Sequence, residues 1–133
     1  MKRSYPLRAV LALLGLAIIV LGLNVGLGGI QTLGWQGGAT VFFNVTDPAM
    51  FAVRDSHIRF IGGVWLAVGL TLLSGAVWLR QLRTVLVAVA GMVVVGGLTR
   101  LVGPLPGDVL ASLGLELVGF PLLGWWVWRA ERA

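Results

Sequence analysis

Four apolar stretches, each close to the length a helix needs to cross a bilayer, decide what this chain can become. About 20 residues at 1.5 Å rise cover the roughly 30 Å of hydrocarbon. Residues 9–30 meet that length, interrupted only by Asn24. Residues 60–79 meet it with Thr71 and Ser74 as their polar members, and residues 109–128 meet it while carrying Ser112, Glu116 and Pro121. Residues 85–98 are purely apolar but short, so the third span must extend through Thr99, Arg100 and Leu101. The reading is an all-α, four-helix transmembrane bundle. It is expected to form one integral membrane domain over residues 1–133, with spans near 9–30, 60–79, 84–102 and 109–128.

Composition narrows the function classes. The chain is 58% hydrophobic and only 11% charged, where a soluble domain is usually about half apolar and a quarter charged. Disorder and an ordinary soluble enzyme are excluded. With no cysteine, so are a disulfide framework and a cysteine-based metal or redox site. Lys2, Arg3 and Arg8 give the first stretch a basic start, as in a signal peptide. Its apolar run is too long for that, however, and no Ala-x-Ala-type site follows, so it is expected to remain as a span.

Basic residues set the orientation. With both termini inside, the cytoplasmic face holds Lys2, Arg3, Arg8, Arg80, Arg83, Arg129 and Arg132, against Arg54, Arg59 and Arg100 outside. The expectation is N-in/C-in, and the positive charge is a topology signal that requires no nucleic acid. Trp78, Trp125, Trp126 and Trp128 fall at the cytoplasmic ends of spans two and four and read as interfacial anchors.

The connections are unequal. Residues 80–84 are expected to form a tight inner turn, and residues 103–108, with Pro104 and Pro106, a short outer one. The outer segment 31–59 is far longer and opens with Gly34, Trp35, Gln36, Gly37 and Gly38. Within it, Thr46-Asp47-Pro48 reads as a helix start, a capping oxygen followed by proline at the first helical position. That short helix either precedes span two or runs into it without a break. Asn44-Val45-Thr46 matches a glycosylation sequon, but a capped turn accounts for it better.

In lipid, helices associate through close van der Waals contact, which small residues allow. Gly63, Ala67, Thr71 and Gly75 recur every four residues on span two, Gly22 and Gly26 make a GxxxG on span one, and Gly96 shares a stripe with Ala88 on span three. These are the expected packing faces. Pro121 removes a backbone donor and is expected to bend span four.

An ionisable residue inside a span is costly unless paired, and it is a functional-site candidate by default. Arg59, Arg100 and Glu116 are the deep charges, rimmed by Asp55, His57 and Asp108. One reading is a buried ion pair or triad that fixes helix register. Another is an outer-leaflet pocket for an anion or polar headgroup, since two arginines against one carboxylate leave a positive remainder. A third is proton handling by Glu116. One histidine and scattered aspartates do not make a metal site. With no Ser/His/Asp set, phosphate loop or carboxylate pair at glycosidase spacing, neither catalysis nor a cofactor is expected.

The block His57-Ile58-Arg59-Phe60-Ile61-Gly62-Gly63, followed by Leu66, Gly69 and Leu70, resembles the R-F-x-G-G-x-x-L-x-x-G-L signature of a family of small four-helix bacterial membrane proteins of unknown function, within the wider DoxX/DoxD-like grouping. Gly97-Leu98-Thr99-Arg100-Leu101 and Leu115-Glu116-Leu117-Val118 with Pro121-Leu122-Leu123 resemble its third- and fourth-helix motifs. The likeness runs from about Arg54 onward. It implies a four-helix bundle with Arg59, Arg100 and Glu116 as landmarks, and a prior toward accessory membrane subunits. Members commonly carry a serine and an Asp-Gly turn after the third-helix arginine, where this chain has Gly103-Pro104-Leu105-Pro106-Gly107-Asp108.

The expected function is a non-catalytic accessory or assembly subunit of a larger membrane complex, in contact with membrane lipids and with that complex or a second copy. The alternative is a lipid, quinone or small-anion binding protein using the Arg/Glu pocket.

Overall fold

Wherever the sequence offers a membrane-length apolar run, the computed structural model places a helix. It describes residues 4–32 and 45–130, apart from the side chain of Asp108. Gly34, Trp35, Gln36, Gly37, Gly38 and Asn44, with Lys2, Arg3 and Arg132, lie outside the described residues. The helices are α1 (Tyr5–Gly28), α2 (Pro48–Val77), α3 (Leu79–Arg100), α4 (Leu110–Gly114) and α5 (Phe120–Ala130). A π-turn, Leu115–Gly119, joins α4 to α5 without a break, so Leu110–Ala130 is one span. Four helical segments, of 27, 30, 22 and 21 residues, are long and apolar enough to cross a membrane. The chain is all-α, with no strand among the described residues.

Local chemistry explains where the helices start and stop. Asp47 accepts the amides of Ala49 and Met50 at 3.0 Å each through Oδ1, with Pro48 at the first helical position. From there α2 runs unbroken for 30 residues, so the short outer helix and span two are one rod. The inner turn falls at Trp78 (φ −108°, ψ 47°), and not at 80–84 as the charges suggested. Arg80, Gln81, Leu82 and Arg83 are good helix formers, and Leu79, fully buried, fixes the start of α3 inside the core. The carbonyls of Ala76 and Val77, left over where α2 stops, are taken by Arg8 Nη1 at 2.7 and 2.8 Å. At the other end of α3 the last bonds tighten to the three-residue type before Pro104 and Pro106 end the run.

Span four accommodates Pro121 through its backbone. A proline in a regular helix would clash with the carbonyl four residues back, that of Leu117. The widened turn Leu115–Gly119, in which the Phe120 amide reaches Leu115 O, lies immediately before it. A π-turn therefore stands where a proline bend was expected.

The chain divides into two compact units. In the first, Leu11–Leu73, α1 and α2 meet through glycines. A Cβ on Gly62 would lie 2.6 Å from Gly26 Cα, one on Gly69 2.6 Å from Ile19 N, and one on Gly15 2.7 Å from Leu73 N. Gly22 faces Leu66 in the same way. The expected row on span two was displaced by one residue: Gly63 has nothing within 4 Å of its added Cβ, and Ala67 is exposed. Steps of four residues at about 100° each drift by roughly 40° per step, so the row from Gly63 to Gly75 walks about a third of the way around the helix. The contact face instead follows Gly62, Leu66, Gly69 and Leu73.

The second unit, Met1–Val10 with Ser74–Ala133, packs mainly through larger side chains. Leu79, Leu86, Val93, Leu113, Phe120, Leu123 and Val127 are buried there. Gly75 admits Leu86, whose Cδ2 would stand 2.7 Å from an added Cβ. Gly96, expected on the contact stripe, faces open space; Gly97 is the residue that packs.

Candidate functional site

The charged residues singled out in the sequence resolve into two sets of bonds. In the first unit, Asp55 and Arg59 are one turn apart on α2 and paired through Arg59 Nε and Asp55 Oδ2 at 2.6 Å. Together they clasp the end of α1. That helix stops at Gly28 and turns at Gly29, whose φ of +71° is a left-handed conformation that glycine adopts freely. The turn presents the Ile30 amide to Asp55 Oδ1 at 2.9 Å. Arg59 Nη1 donates to the carbonyls of Gly26 and Leu27. A cation against the last carbonyls of a helix is favoured both by their unmet acceptors and by the helix dipole. A side chain at Gly29 would run into the Asp55 carboxylate. Arg59 is thus occupied by its neighbour carboxylate and by backbone.

In the second unit, Arg100 and Glu116 form the deep pair. Arg100 Nη1 donates to Glu116 Oε1 at 2.6 Å and to Ser112 Oγ at 3.2 Å. Ser112 Oγ donates in turn to Val109 O at 2.9 Å. Glu116 lies in the π-turn and is only 7% exposed, the one charged residue in the buried core among the described residues. Gly97 makes room for it: a Cβ there would stand 2.9 Å from Glu116 Cβ and 3.3 Å from Oε2. The second carboxylate oxygen, Oε2, is buried with no hydrogen-bond partner among the described residues. The Arg100 side chain remains 36% exposed.

His57 is exposed and bonds the carbonyl of Val53 at 2.7 Å, a contact within its own helix. Asp108 lies in the 3-10 turn Gly107–Val109, and its side chain is outside the described residues. Among the described residues no cluster of three or more His, Cys, Asp or Glu side chains has metal-binding geometry.

Sequence reasoning found Glu116, Arg100, Ser112, Asp55 and Arg59, but it did not find the parts that hold them. Gly97 was passed over for Gly96, and nothing in the pattern marked Gly29 as the turn that feeds Asp55. The opposing backbone of α1 carries no side-chain signal, so the main partner of Arg59 was not legible.

The chain belongs to the family described as Domain of unknown function (DUF4345), whose model matches residues 6–127. No curated protein and no solved structure matches it.

Proposed function

We propose that this is a non-catalytic small integral membrane protein that serves as an accessory or assembly subunit of a larger membrane complex. The observation that carries the reading is a set of helical glycines with nothing beside them. Gly63, Gly91, Gly96 and Gly114 lie on exposed helix faces, and a Cβ added to any of them would meet nothing within 4 Å. Glycine inside a helix costs about 1 kcal/mol relative to alanine, and these four return nothing through packing against the described residues. Close approach of another helix in the bilayer is what such faces permit. The motif likeness to the DoxX/DoxD-like grouping, whose members often work beside redox or sorting partners, supports the same reading. On the distribution of basic residues both termini lie in the cytoplasm, and the motif likeness points to a bacterial inner membrane.

The ion pairs fit a structural role within this reading. Each deep arginine is held by a carboxylate and by further groups of its own unit. Glu116 Oε2 and the half-exposed Arg100 favour the second reading, a site for a lipid headgroup, quinone or small anion beside that pair.

Native mass spectrometry on protein drawn gently from its own membranes tests both. The accessory reading expects a stoichiometric larger partner. Recovery as a lone monomer counts against it, and a reproducible added mass of lipid or quinone size favours the second reading.

A further inference from the structure

The opposite end of the second unit from Glu116 carries four arginines and no described carboxylate near them. Arg8 is committed to the carbonyls that end α2. Arg80 stands in the first turn of α3 and Arg83 just after it, at an end where no side chain caps the helix and no acidic residue lies in the first turn. That placement is electrostatically adverse, because the start of a helix is itself positive and favours anions. Arg83 lies flat over Trp128, 4.1 Å from the ring centroid, and Arg129 over Trp125 at 4.6 Å. Arg83 Nη2 also bonds Trp128 O at 2.9 Å, while its Nε is buried and finds no acceptor among the described residues. Both salt bridges among the described residues lie elsewhere.

The result is two guanidinium groups, those of Arg83 and Arg129, held on indole faces with no counter-charge among the described residues. Trp78 and Trp125 are more than half exposed at the same end. Indoles at the ends of membrane-length helices sit at headgroup level, and stacking on an aromatic face leaves the guanidinium edge able to bind phosphate oxygens. We propose that the α2–α3 turn and the end of α5 form a binding site for the phosphate of an anionic phospholipid in the leaflet that meets this end. Charge complementarity selects the occupant: two indole-stacked guanidinium groups, with Arg80 one turn before Arg83 and no described carboxylate near them, match a phosphodiester that carries a net charge, and a zwitterionic headgroup brings a cation of its own into the same space. Stacking also means that the arginines reach the lipid already ordered, so little side-chain freedom is lost on binding.

The test uses the full chain in neutral-detergent micelles containing equal amounts of phosphatidylglycerol and phosphatidylcholine, with retained lipid counted by native mass spectrometry. The wild type is expected to retain phosphatidylglycerol in preference. Arg83 also supports the fold through Trp128 O, so the decisive variant is R80Q/R129Q, which breaks no hydrogen bond described within the chain. Its preference should fall about fivefold for each arginine removed, with R80K/R129K keeping most of it and Arg54→Gln, on α2 far along the chain, changing nothing. Equal retention of the two lipids by the wild type would overturn the proposal, as would an unchanged ratio in R80Q/R129Q. Displacement of the lipid by an excess of inorganic phosphate, but not by chloride of matched ionic strength, would also overturn it by making soluble phosphate the ligand.

Discussion

Where α1 meets α2, a single methyl group added at Gly62 or Gly69 would stand 2.6 Å from backbone of the facing helix. Where α3 meets span four, the contact is carried by Leu86, Val93, Phe120 and Leu123, with a paired carboxylate buried among them. The first region relies on backbone proximity and tolerates no added volume. The second has volume to rearrange but encloses a charge that must stay neutralised. Their charged residues differ in the same sense. Arg59 serves an exposed helix end and water or headgroups can replace it, whereas Glu116 has Arg100, itself bonded to Ser112, as its described polar partner in the unit.

The contrast can be broken most severely at the buried pair. Arg100→Met leaves the Glu116 charge without its partner, and stability in an SDS unfolding titration should fall by about 3 kcal/mol, the low end for a broken buried pair because Arg100 is partly exposed. The double variant R100M/E116M removes both charges and should recover most of that loss; additive losses would show that the two residues are not coupled. Next comes the glycine face. Gly62→Ala should cost about 2 kcal/mol by overpacking, while Gly63→Ala, one residue away, should leave the same titration within about 0.5 kcal/mol of wild type. Equal effects at the two positions would place the α1 contact on the wrong face. The smallest effect is expected at the clasp: Arg59→Gln should lower stability less than Gly62→Ala does. Its signature should be faster amide exchange of Ile30 with little change elsewhere.

The same contrast explains what could be read from sequence. Membrane-length apolar runs depend on length and transfer free energy alone, so all four spans were legible, as was the Asp47–Pro48 start of α2. Rotational position was not. Burial in both units follows a period between three and four residues, and a strict four-residue row drifts off the contact face, which is why Gly63 and Gly96 were chosen over Gly62 and Gly97. Charge was taken as a mark of a turn at 80–84, although arginine and glutamine extend a helix readily and the buried Leu79 starts α3 earlier. The π-turn could be inferred only as trouble near Pro121, because its form depends on how the neighbouring backbone absorbs the missing donor. The candidate charges were visible as costly residues in apolar runs, but their partners were partly backbone, which no residue pattern announces.

Glu116→Gln tests most directly whether the Arg100–Glu116 pair is a structural lock or part of a ligand site. The substitution keeps shape and removes charge, and two quantities are read on the purified protein: the SDS unfolding midpoint and the lipid and quinone carried per chain. A lock predicts a lower midpoint with unchanged bound lipid and quinone. An unchanged midpoint with altered ligand content would contradict it and move the function to the Arg/Glu site.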